Sequence, residues 1–281
     1  MISKRKRQER INSVLQKALI IFLGIIVLIP FYVGFIYSIK LKNETTLNRM
    51  AWPTHPTLHN YIAVITENNK FIIGLKNSLL TTLPTVLLLL IVTSMAAWVL
   101  ARNNTKIYRT LYTVFTIGIL IPFQGIMLPL YKNMYTAGLT NSLFGFVIAR
   151  AGIQIPISLL VVTSFVKTVP VELEEAAFID GGTRFQTFWK VVFPLMKPIN
   201  ATQAVLNTLF VWNDYNTALV LLRNNDVQTL PLAQVMYFGE AGANLNMAFA
   251  FFIMTMLPIL ILYLSLQKYI VNGIMAGAVK G

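Results

Sequence analysis

The sequence predicts an all-α polytopic membrane protein. Six transmembrane helices are expected, both chain ends in the cytoplasm (N-in/C-in), and one polar cytoplasmic segment between spans 4 and 5. Three observations carry this. The chain is 56% hydrophobic and only 12% charged, about half the charged fraction of a soluble domain. Several apolar runs approach the ~20 residues a helix needs to cross a bilayer. With the N-terminus inside, inner segments hold 15 Lys and Arg against seven outside, with Arg150 left in a span; this is the positive-inside bias. The same spread of cations accounts for the net charge of +13 without a nucleic-acid partner. The absence of cysteine excludes disulfides and thiol chemistry.

The elements follow in order. Residues 1–17 form a basic cytoplasmic arm, expected to be irregular or to lie on anionic headgroups. Residues 18–281 form one membrane domain. Span 1 runs from Ala18 to Ile39 and contains Pro30. Its 22 uncharged residues exceed a signal-peptide core and no small-x-small site closes it, so it reads as an uncleaved span. Lys40 to Lys76 is too polar for lipid. Span 2, Asn77 to Ala101, leads to a loop with Arg102, Lys106 and Arg109. Span 3 covers Thr110 to Pro129, and span 4 Asn141 to Val166. Span 5 covers Ile199 to Leu222, and span 6 Met247 to Leu266.

The interruption between spans 4 and 5, residues 170–198, holds four of the ten acidic residues. Pro170 suits a first helical turn, where its missing N–H is not needed. Glu172, Glu174 and Glu175 follow where the helix dipole favours anions. Ala176 and Ala177 keep one face thin, and Asp180-Gly181-Gly182 supplies a C-terminal stop. Thr183 can cap a second helix from Arg184 to Phe193, with Phe185, Phe188, Trp189 and Val192 at helical spacing. Pro194 and Pro198 turn the chain back towards the bilayer. A thin-faced helix on a cytoplasmic loop suits docking into a partner's groove; a solvated loop with ordinary helix-start charges is the competing reading.

These residues resemble the EAA signature of the membrane subunits of bacterial ABC importers. Glu175-Ala176-Ala177 is followed after three residues by Gly181, and after nine more by Val191-Val192-Phe193-Pro194, where the family pattern has Ile-x-Leu-Pro. Flanking stretches, including residues 121–131, Gly138 to Ser142, Trp212-Asn213-Asp214 and the C-terminus, are similar to the smaller, maltose-type (MalG-type) permease of the carbohydrate branch.

The resemblance implies a multi-pass protein of the bacterial cell membrane, paired with a second permease as a heterodimer. It implies an extracytoplasmic solute-binding protein delivering sugar, and an ABC ATPase dimer that binds ATP and Mg. Glu174, Glu175, Ala176, Ala177, Asp180, Gly181 and Pro194 would then form the ATPase-coupling surface. Gly277, Ala278, Val279, Lys280 and Gly281 would reach the ATPase dimer interface. No cofactor is implied in this chain itself.

Four polar residues are candidates for a substrate pathway. Asp214 in span 5 is costly at membrane depth and faces a cavity or a partner. With Asn213 it could bind sugar hydroxyls, or it could fix helix packing. Arg150 could pair with Asp214, line the pathway or snorkel. Gln124 lies between Pro122 and Pro129, where a helix is expected to break. His55 and His59 flank Pro56 and do not suggest a metal site. The residues hold no nucleophile with its base and orienter, so no catalytic residue is assigned. An ABC permease for another solute, and an ion-coupled secondary transporter, are the alternative functions; the latter would have to rely on Asp214 alone.

Overall fold

The structure is a computed structural model that describes residues 2–47, 50–67, 69–241 and 244–278. Among them every regular element is helical. The long helices are α1 (Ile2–Ser38), α4 (Lys70–Arg102), α7 (Leu143–Val166) and α14 (Leu245–Ala278). Each contains a stretch long and apolar enough to cross a bilayer. Prolines 30, 84, 156 and 258 lie inside these four helices, as neighbouring groups in a membrane helix permit. The arm expected to be irregular is instead helical from Ile2, continuous with the first span.

The other two expected spans are interrupted. α5 (Lys106–Ile117), a short 3-10 turn and α6 (Phe123–Thr136) form one broken apolar pair bent by 107°. The break falls at Ile121-Pro122, because proline disfavours helix in the residue before it. α11 (Lys197–Trp212) has 16 residues, and α12 (Asn216–Leu221) only six. Asp214 separates them: its Oδ1 accepts the Thr217 backbone N–H at 2.9 Å and caps the new helix. Among the described residues four helices therefore meet the length and apolarity of a span, or five with the bent pair. Shorter helices are α2 (Lys42–Leu47), α3 (His59–Thr66), α8 (Glu172–Ile179), α9 (Arg184–Thr187), α10 (Phe193–Leu195) and α13 (Leu230–Ala241).

The chain forms two compact units, residues 1–69 with 236–254, and residues 70–235 with 255–281. In the first, two buried asparagines tie the turn after α1. Asn60 Nδ2 donates to the carbonyls of Ser38 (2.9 Å) and Lys40 (2.8 Å), and Asn246 Nδ2 to those of Tyr37 (3.0 Å) and Lys40 (2.9 Å). They satisfy carbonyls left open at a helix end.

In the second unit α4, α7 and α11 pack together through small and polar side chains. Ser94 donates to Asn200 Oδ1 at 3.0 Å, and Gln154 Nε2 and Ser158 Oγ donate to Asn207 Oδ1 at 3.0 and 3.2 Å. Lipid tails give apolar helices little reason to associate, so close packing and interhelical hydrogen bonds hold such bundles.

Candidate functional site

The segment 170–198 is a helix, a glycine turn and a second helical stretch. α8 begins at Glu172, with Pro170 just ahead of its first turn rather than within it. It ends in a Schellman motif: Gly181 N–H donates to Phe178 O (3.0 Å) and Gly182 N–H to Ala177 O (2.9 Å). Gly181 has φ +81°, and a Cβ on Gly182 would stand 2.7 Å from Ala177 O. Both glycines are thus required, one by dihedral and one by space. Thr183 and Gln186 form a reciprocal capping box at the start of α9.

The predicted single helix from Arg184 to Phe193 proves to be α9, a π turn over Phe188–Val192, and α10. Pro194 has no N–H to give Lys190 O, and Phe193 N–H reaches back five residues to Phe188 O.

Apolar packing seats this segment on the ends of α4 and α7. Phe188, Val192, Met196 and Ile199 form one buried cluster with Ala97, Leu159, Val162 and Val166. A polar clasp adds direction. Glu174 is only 3% exposed. Its carboxylate accepts Trp98 Nε1–H at 2.8 Å and the Arg102 guanidinium at 2.9 and 2.7 Å. Arg102 also donates to Val169 O at 2.8 Å, joining the ends of α4 and α7 to α8. Glu174, expected on the docking face, is instead turned inward onto Trp98 and Arg102. Glu175, Ala176, Asp180 and Gly181 are exposed, Ala177 is half-buried, and Ile179 is 86% exposed. Pro194 is exposed on the second stretch.

The second candidate region is a cavity of about 440 Å³ at the break between α11 and α12. Arg150, Asn213, Asp214, Tyr215 and Phe123 are among its lining. Arg150 Nε lies 2.6 Å from Asp214 Oδ2. Nε makes no aligned hydrogen bond, so the contact is ionic, and Nη2 donates to Phe210 O at 3.2 Å. Three of the four expected pathway residues thus converge. Gln124 does not: it is exposed in the first turn of α6, while its neighbour Phe123 reaches the cavity. Of the C-terminal contact residues, Val279, Lys280 and Gly281 lie outside the described residues, and Gly277 and Ala278 are described only as helical backbone.

Residues 90–275 match the family described as "Binding-protein-dependent transport system inner membrane component". The chain belongs to this family. It is 36% identical to the melibiose/raffinose/stachyose import permease protein MelC of Bacillus subtilis, over 90% of this chain and 91% of that one. It is 34% identical to the multiple sugar-binding transport system permease protein MsmG of Streptococcus mutans, over 98% of this chain and 100% of that one. Its fold matches a chain from the crystal structure of a bacterial ABC transporter involved in the import of the acidic polysaccharide alginate. That match has TM-score 0.83 and 25% identity, over 94% of this chain and 98% of that one.

For an inner-membrane transport component, the site contains residues the sequence did not single out. Trp98 and Arg102 stand four apart at the end of α4, on one face of the helix and aimed at the same carboxylate. Their spacing was visible, but their partner, more than 70 residues on, was not. Phe123 and Tyr215 give the cavity aromatic walls. Tyr215 directly follows Asp214, so adjacency alone pointed to it.

Proposed function

We propose that this chain is one membrane subunit of an ATP-driven importer for an oligosaccharide. In this reading residues 170–198 dock on a separate ATP-binding subunit. The observation that carries it is the division of α8. Glu174 is locked into the membrane subunit, while Glu175, Ala176 and Gly181 are left facing out on a thin, rigidly seated surface. A helix held from behind and bare in front can transmit a partner's movement to the spans. ATP and Mg belong to that partner. A second permease completes the pathway in this reading. A binding protein delivers the cargo, in keeping with the family's description.

The charge bias supports both ends in the cytoplasm. The α5–α6 pair and α11 with α12 would supply the fifth and sixth crossings. The sugar relatives MelC and MsmG support carbohydrate as cargo. The cavity has suitable chemistry for it: the Asn213 amide and the Asp214–Arg150 pair for hydroxyls, Phe123 and Tyr215 for ring faces. Asp214 is already paired with Arg150, which argues against its serving as the ion site of a secondary transporter.

The test is ATP-dependent sugar uptake in proteoliposomes containing both permeases, the ATPase and the binding protein. Ala176→Trp, on the exposed face of α8, should abolish uptake and ATPase association while the chain still inserts. Normal uptake in that variant, or uptake driven by an ion gradient without ATPase, would overturn the proposal.

A further inference from the structure

We propose that a second cleft, at the shared ends of α4 and α7 and the start of α5, binds the phosphate of an anionic phospholipid. It encloses about 290 Å³. Its polar lining is Asn103, Asn104, Tyr108, Arg109, Tyr112 and Lys167, with two cations and no carboxylate.

Both cations are already oriented. Arg109 Nη2 donates to Asn104 Oδ1 at 3.0 Å, and Lys167 Nζ sits 5.3 Å from the Tyr112 ring centre. The cleft lies where two apolar spans end, at Arg102 and Val166, which is the level of lipid headgroups whichever side of the membrane it faces. The neighbouring surface is apolar: Ile107, Leu111 and Val114 on α5 are 71%, 43% and 60% exposed. A cationic pocket beside an open apolar wall fits a phosphate that carries acyl chains better than a free anion. The cleft is separate from the Arg150–Asp214 cavity and does not depend on the cargo.

The test is native mass spectrometry of the purified full-length chain, released from micelles doped with phosphatidylglycerol or phosphatidylcholine. The chain should retain phosphatidylglycerol in preference. Arg109→Gln and Lys167→Gln should each lower that retention roughly fivefold, and together about 25-fold. Arg109→Lys with Lys167→Arg should keep it, which separates charge from folding. Lys132→Gln, an exposed cation outside the cleft, should leave it unchanged. Equal retention of phosphatidylcholine, or undiminished phosphatidylglycerol in the double Gln variant, would overturn the proposal. So would inorganic phosphate displacing the lipid at millimolar concentration, which would make the cleft a soluble-anion site.

Discussion

Two arginine–carboxylate pairs in this chain have nearly the same length and opposite character. Arg102–Glu174 closes at 2.7 Å with side chains 16% and 4% exposed, and Arg150–Asp214 at 2.6 Å with side chains 9% and 8% exposed. Around Glu174 a tryptophan N–H and two guanidinium N–H groups are aligned on the carboxylate. Around Arg150 the Nε contact is not aligned, Asp214 is shared with a helix N-terminus, and a cavity adjoins. Desolvating a pair of charges is offset only by good geometry and further hydrogen bonds. The first pair meets that condition and serves as a fastener. The second does not, and retains capacity for a polar ligand.

The largest effect expected from this contrast is on the fastener. Glu174→Ala should lower stability by about 3 kcal/mol, read by thermal melting in detergent, because it strands the Arg102 guanidinium. Asp214→Asn should cost less stability, about 1 kcal/mol, since the cavity lets water reach Arg150. It should raise the sugar concentration for half-maximal uptake about tenfold. If the two stability losses were reversed, the assignment of roles would be wrong. Trp98→Phe should remove one hydrogen bond from the fastener and cost about 1 kcal/mol in the same melting assay.

The smallest effect belongs to a half-buried carboxylate. The Thr54 hydroxyl, then the His55 backbone N–H and ring charge, hold the Glu44 carboxyl below its ordinary range. A lowered carboxyl stabilises the fold above its ordinary value, and that contribution fades as pH falls through the lowered one. The melting temperature of Glu44→Gln should therefore converge on that of the parent as pH falls from the ordinary carboxyl range through the lowered value.

How much of this was readable in advance depended on range. The stop at Gly181-Gly182 and the cap at Thr183 are local. Left-handed backbone and a hydroxyl three residues before an amide are written in adjacent letters. The helical core of four spans was equally open, since apolar length alone sets it. The inward turn of Glu174 was hidden, because three acidic residues in one turn look alike until Trp98 and Arg102 arrive from another helix. The break at Asp214 was hidden too. Hydropathy averages over a window and does not register one carboxylate that finds a backbone N–H three residues ahead.

The π turn at Phe188–Val192 reaches further than its five residues. It acts as a one-residue insertion that advances the phase of everything after it by about 100°. Asn200 and Asn207, which meet Ser94, Gln154 and Ser158, lie downstream of that insertion and of the turn at Met196. Deleting one residue between 188 and 192 would straighten the turn into α geometry and rotate those amides out of register. The amides that stitch α11 to its neighbours thus lie downstream of a proline in the segment 170–198.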